Sequence, residues 1–218
     1  MSGPVRIGLV DYGMGNRRSV QKAFEHVGAK VLVSADATAL RGCDGLVVPG
    51  VGAFPKAMRR LHELGLDQLL LEQVSGGRPL LGICLGMQLA FECSSEQGGA
   101  QGLGLLAGEV HELPHDGLKL PHIGWNEVAL RVEGSPLLEG LPERCAFYHV
   151  HSFAPVPAAQ QDVLGLSTYA GQFASVVARG SFYGVQFHPE KSSAAGLRLL
   201  ANFTQICARS ATATPVAS

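Results

Sequence analysis

The N-terminal half of the chain alternates nearly unbroken apolar runs with segments of helical period. Val5-Arg6-Ile7-Gly8-Leu9-Val10, Val31-Leu32-Val33, Gly45-Leu46-Val47-Val48 and Leu80-Leu81-Gly82-Ile83 are the apolar runs. Runs without a polar face are the mark of strands covered by helices on both sides, as in a parallel sheet. The intervening segments predict helices over 19–27, with Val20, Phe24 and Val27 on one face, and over 55–74, with Met58, Leu61, Leu69 and Leu70 among its apolar positions. Gly28 and the Gly76-Gly77 pair stop them. Leu89-Ala90-Phe91-Glu92 is helix-compatible, and residues 98–108 read as a glycine-rich loop.

Beyond that loop the period shortens to two. Strands are expected at Glu109-Val110-His111, at Glu127-Val128-Ala129-Leu130, over 146–153, and over 163–169, 173–178 and 182–187, with turns at Ala170-Gly171 and Arg179-Gly180. A closing helix follows over 196–208. The expected fold is α/β, an open, mostly parallel sheet flanked by helices, with an additional antiparallel portion in the C-terminal half. Residues 1–209 are expected to form one domain, and the Ala/Thr/Ser/Pro-rich stretch 210–218 a disordered tail.

The chain has 218 residues, 46% of them hydrophobic and only 16% charged, which suits one well-buried domain with a stable protein partner. Lys plus Arg number 17 against 18 for Asp plus Glu, so no general field favours nucleic acid or an anionic membrane. Five cysteines without a Cys-x-x-Cys pair argue against a disulfide framework or a metal site and for a reducing compartment. Met1-Ser2-Gly3-Pro4 has no signal pattern and no apolar run is long enough for a bilayer, so a cytoplasmic location is expected. His111 and His115 flank Pro114 and read as surface residues. Gly13 and Gly15 lack the third glycine of a dinucleotide fingerprint, position 18 being Arg. No cofactor is expected.

Cys84 lies where the fourth apolar run should turn into a helix, in Gly82-Ile83-Cys84-Leu85-Gly86-Met87-Gln88. Glycines two before and two after it remove side chains that would crowd a sharp turn, the steric logic of a nucleophile elbow. An inert buried thiol is the alternative. The last strand runs into His188-Pro189-Glu190-Lys191-Ser192, where a carboxylate two residues from an imidazole could orient the ring toward a thiol. Pro49-Gly50-Val51-Gly52-Ala53-Phe54, after the third strand, is either a plain turn or a loop aiming a main-chain N–H into the same crevice. His149 and His151 share a strand face, so at least one could line a pocket. Trp125 is core or interface.

These stretches resemble the class I, triad-type glutamine amidotransferases over nearly the whole chain, from Asp11-Tyr12-Gly13-Met14-Gly15-Asn16 to Leu200-Ala201-Asn202-Phe203. The Pro49 to Phe54 loop, Pro121-His122-Ile123-Gly124-Trp125-Asn126 and Glu190-Lys191-Ser192 are similar to the histidine-biosynthesis branch. The resemblance implies that Cys84 is the nucleophile, His188 its base and acid, and Glu190 the orienting carboxylate. It makes the N–H groups of Leu85 and, after the loop reorients, Val51 the oxyanion donors. Gly52 and Gln88, with main-chain groups of His151, Ser152 and Phe153, would hold L-glutamine. It also implies a heterodimer with a (β/α)8-barrel cyclase that receives the ammonia, with Trp125, Asn126, Tyr148 and Lys191 at the interface. Two positions depart from the branch: His149 and Phe153 stand where relatives tend to have Phe and Tyr. An amidotransferase of another pathway, a non-catalytic scaffold and a cysteine peptidase are the competing readings.

Overall fold

The structure, a computed structural model, describes residues 3–213. The chain opens with β1 (Arg6–Val10), α1 (Arg17–His26), β2 (Lys30–Ser34), α2 (Ala37–Arg41) and β3 (Gly45–Gly50). Next come α3 (Phe54–Glu63), α4 (Leu66–Ser75), β4 (Leu80–Cys84) and the single helical turn α5 (Leu85–Gln88). The long helix expected over 55–74 is thus two helices. Gly65 sits between them in the left-handed region, at φ 64°, and its backbone turns the chain there. The helix expected at Leu89-Ala90-Phe91-Glu92 does not form either. The chain leaves α5 into β5 (Phe91–Ser94), where Phe91 pairs with Leu106 and Ser94 with Val110.

The supposed loop 98–108 contains β6 (Ala100–Gln101) and the start of β7 (Leu106–Glu112). Six strands follow: β8 (His122–Leu130), β9 (Arg144–His151), β10 (Phe153–Pro157), β11 (Val163–Tyr169), β12 (Gly171–Arg179) and β13 (Phe182–Val185). The last element, α6 (Ser193–Ala213), begins before position 196 and carries residues 210–213, so the expected tail starts no earlier than 214. Residues 214–218 lie outside the described residues.

Among the described residues the main sheet has the order β2-β1-β3-β4-β13-β12-β11-β8-β9. Its first four pairings are parallel and its last four antiparallel. A second sheet, β10-β7-β5-β6, shares no strand with it and packs against it through Phe91, Leu106 and Val110. Period-two alternation divides the core between the two faces. Ile7, Leu9, Val47 and Leu81 face α1 and α6, where Phe24 and Phe203 meet edge to face at 6.2 Å. Val10, Leu46, Val48 and Leu80 face α2, α3 and α4 through Leu40, Leu61 and Leu69. Burial of both faces explains the unbroken apolar runs. No described helix is long and apolar enough to cross a membrane.

Candidate active site

The site is fixed by β4, which lies between β3 and β13 and runs parallel to both. Gly50 stands beside Cys84 and Val185 beside Ile83, so the chain beyond all three carboxyl ends enters one crevice. The crevice is a cavity of about 290 Å³ whose wall includes Val51, Gly52, Cys84, Leu85, Gln88, His151, Ser152, Phe153, His188 and Lys191. Every residue expected to bind glutamine or the oxyanion is on that wall. Of the triad, Glu190 is absent from the wall because it stands behind His188.

Cys84 has φ 54° and ψ −112°, a conformation in which a non-glycine residue is strained by about 1–3 kcal/mol. The neighbouring glycines make it possible. A Cβ on Gly86 would lie 1.9 Å from the Val48 carbonyl oxygen, and one on Gly82 would lie 2.5 Å from the carbonyl oxygen of Gly86. The tight turn thus brings α5 directly against β3 and β4, and Leu85 N–H opens the helical turn beside the sulfur. The thiol can donate to the Val150 carbonyl oxygen at 3.7 Å, while Gln186 Nε2 donates to Sγ at 3.7 Å.

His188 follows β13, and two anchors on β9 hold it. Its N–H donates to the Tyr148 carbonyl at 2.9 Å, and Ser192 Oγ, which donates to the His188 carbonyl at 2.6 Å, accepts from Tyr148 N–H at 3.0 Å. The short 3-10 turn Pro189–Lys191 then folds Glu190 back, so that His188 Nδ1–H donates to its Oε1 at 2.9 Å. That leaves Nε2 for the sulfur of Cys84. Burial alone would push the imidazole down; hydrogen bonds to Cys84 and Glu190, with the charge on both, outweigh it and raise the pKa to about 10. The ring therefore holds its proton at neutral pH. The Glu190 side chain is fully buried, and its Oε2 has no hydrogen-bond partner among the described residues. Its hydrogen bond through Oε1 goes to the imidazole, as expected of an orienting carboxylate.

Three further residues at the site were not singled out by sequence. Gln186 lies two residues before His188, and the shared period-two face was the signal that could have revealed it. Glu96 reaches the cavity wall from the 3-10 turn Glu96–Gly98, with Oε2 accepting from Phe54 N–H at 2.8 Å; nothing in its sequence surroundings marked it. His122 is buried beside His149 and His151, with ring centroids 5.3 and 5.1 Å away. Of the pair on the β9 face, His151 lines the cavity whereas His149 is wholly enclosed. Burial first, then the charge of His151, pushes His149 down to about 3; burial also takes His151 down to about 4, against the hydrogen bond to Phe153.

Three of the four expected interface residues form one patch. Trp125 is 56% exposed and meets Tyr148 edge to face at 6.2 Å, and Lys191 Nζ lies 5.7 Å from the centre of the Tyr148 ring. Asn126 is on the other face of β8, where its Nδ2 donates to the Thr168 carbonyl at 3.0 Å. Alternation along the strand separates it from Trp125. His111 and His115 are partly exposed and stand near Glu109 and Glu112, as surface residues do. Among the described residues no group of His, Cys, Asp or Glu could hold a metal ion.

Comparison with known proteins accords with this geometry. The family described as glutamine amidotransferase class-I matches residues 8–206. Imidazole glycerol phosphate synthase subunit HisH of Symbiobacterium thermophilum is 50% identical over 91% of this chain and 92% of its own. The HisH protein of the same name from Moorella thermoacetica is 47% identical over 92% and 94%. Among solved structures, PurLQS from Thermotoga maritima contains a chain of similar fold, with TM-score 0.75 and 16% identity over 94% of this chain and 99% of that one. The elbow, the buried imidazole–carboxylate pair and these matches lead to one conclusion: the chain belongs to the class-I glutamine amidotransferases, in the branch of the HisH proteins.

Proposed function

We infer that the chain is the glutaminase subunit of an imidazole glycerol phosphate synthase, hydrolysing L-glutamine and passing the ammonia to a (β/α)8-barrel cyclase. The observation that carries this reading is the strained Cys84 elbow in a cavity with the His188–Glu190 pair against it. A carboxamide is a weak electrophile, so it needs a thiolate, an acid for the departing nitrogen and donors for the oxyanion. Cys84, as the thiolate whose proton already sits on His188, attacks the side-chain carbonyl carbon of glutamine. Leu85 N–H receives the oxyanion, joined by Val51 N–H once the loop after β3 turns. His188 then protonates the nitrogen, ammonia leaves, and a thioester remains. Water that gives its proton to His188 hydrolyses it, releasing glutamate and restoring the thiolate–imidazolium pair.

The amino-acid end of glutamine finds matching groups on the cavity wall. Glu96 offers a carboxylate to the α-ammonium group, and Gln88 offers its Oε1, because both Nε2 hydrogens are already engaged by Phe153 O and Gln186 Oε1. Beside the mouth, Trp125, Tyr148 and Lys191 supply an aromatic and cationic surface for the cyclase. Ammonia release from glutamine, measured for the chain alone and then with the cyclase and its nucleotide ligand, tests the reading. A low rate that rises sharply with the pair is expected. No rise, with Cys84 still labelled by a glutamine-like electrophile, would assign the chain to another synthase.

A further inference from the structure

A continuous set of polar side chains, all buried but Asn126, underlies the cavity, and its hydrogen-bond directions follow from one end. The Phe153 carbonyl can only accept, so His151 Nδ1, 2.9 Å away, carries the hydrogen. Burial keeps His151 neutral, which leaves Nε2 with a lone pair; His122 Nδ1, at 3.1 Å, must then be the donor. His122, also held neutral by burial, accepts at Nε2 from Asn126 Nδ2 at 3.4 Å. Every bond in the chain therefore points from Asn126 toward the Phe153 carbonyl. The same carbonyl accepts from Gln88 Nε2 at 2.8 Å.

Gln88 joins this chain to the nucleophile. Its second Nε2 hydrogen goes to Gln186 Oε1 at 3.1 Å, which fixes the Gln186 amide with Nε2 toward Cys84 Sγ at 3.7 Å. Around the sulfur, the Val150 carbonyl accepts only from a thiol, whereas the Gln186 amide donates to the sulfur and favours the thiolate. We propose that Gln186 and the His122–His151 pair are positioning residues: Gln186 sets the thiolate of Cys84, and the two imidazoles set the Phe153 carbonyl and Gln88 for the incoming amino acid. The proposal rests on the glutaminase reading for its substrate arm and on geometry alone for its thiol arm.

The two arms give different readouts. For the thiol arm, alkylation of Cys84 by iodoacetamide is followed against pH by peptide mass spectrometry, which separates it from the other cysteines. Gln186→Leu is expected to label about tenfold more slowly at pH 7 with the midpoint of the profile moved upward, and Gln186→Glu, which exchanges the donor for an acceptor, more slowly still. For the substrate arm, glutaminase kinetics are measured in the complex with the cyclase. His122→Phe keeps the ring that stacks on Tyr169 at 4.2 Å but loses both hydrogen bonds, so KM for glutamine should rise about tenfold with kcat within about threefold. His122→Asn, whose amide N–H mimics Nδ1–H, should recover part of that loss. A Gln186→Leu labelling profile identical to that of the unsubstituted protein, or a His122→Phe KM within twofold of it, overturns the corresponding arm. Labelling that responds to Gln186 in a protein releasing no ammonia with any cyclase upholds the thiol arm while sinking the glutaminase reading.

Discussion

His149 makes the fold acid-sensitive by a calculable amount. The ring is fully buried, with Nδ1–H donating to the Phe147 carbonyl at 3.1 Å and Nε2 3.3 Å from Ser175 Oγ. Around it stand His122, His151 and the cationic His188, and burial with their charges takes it from 6.5 to about 3. A depressed pKa means that the neutral ring's contribution is complete above about 6.5 and is lost as pH falls toward the folded value. At pH 5 the unfolded chain has taken up this proton almost fully and the folded chain scarcely at all. Each pH unit below 6.5 is worth about 1.4 kcal/mol, so going from pH 7.5 to 5 costs about 2 kcal/mol through this residue. His149→Phe keeps an aromatic ring in the site and removes that term. Urea unfolding followed by far-UV circular dichroism, at both pH values, should show the variant losing about 2 kcal/mol less than the unsubstituted protein. The carboxylates and the other histidines are common to both proteins and cancel in the difference. Losses equal within about 0.5 kcal/mol would refute the neutral-imidazole argument.

Two other substitutions test the elbow and the exposed patch. Gly86→Ala places a Cβ 1.9 Å from the Val48 carbonyl, where backbone cannot yield; a loss of about 3 kcal/mol or more is expected, whereas Gly42→Ala, with its nearest neighbour at 3.5 Å, should stay within about 1 kcal/mol. Thermal unfolding compares them, and equal midpoints would contradict the close approach. Trp125→Ala should leave the fold intact, the side chain being 56% exposed, and weaken cyclase binding by about 2 kcal/mol, near thirtyfold by titration calorimetry. An affinity within threefold of the original would remove Trp125 from the interface.

The elbow and the dyad were legible because their signals are local. Gly82 and Gly86 flank Cys84 at the spacing a sharp turn needs, and Glu190 lies two residues from His188. What escaped depends on distant chain. Leu89-Ala90-Phe91-Glu92 has helical propensity, yet Phe91 and Ser94 are claimed by strand partners at Leu106 and Val110. Gly65 interrupts an apolar pattern that continues across it, so the pattern alone favoured one helix. The strand expected from Glu127 begins at His122, because pairing with β9 extends it, turning His122 inward and Ile123 outward. The shared face of His149 and His151 suggested a pocket for at least one of them, but not that Phe173 from β12 and Phe187 beyond β13 close over the pair.

Three departures from ordinary folding rules meet at one cavity. Cys84 holds a left-handed φ, Glu190 Oε2 is buried without a partner among the described residues, and three imidazoles are enclosed side by side. Each is unfavourable taken singly, by about 1–3 kcal/mol for the backbone strain and by comparable amounts for an unmet polar atom. Beneath them both faces of the parallel strands are apolar and covered. A strained turn persists only when its surroundings over-determine it, and here Gly86 is pressed on Val48 while the parallel neighbours β3 and β13 hold β4 on both sides. The well-packed sheet therefore offsets the cost of an elbow that presents the sulfur to His188. Because Leu85, the proposed oxyanion donor, belongs to the same turn as Cys84, one constraint positions both, and relaxing the turn would displace them together.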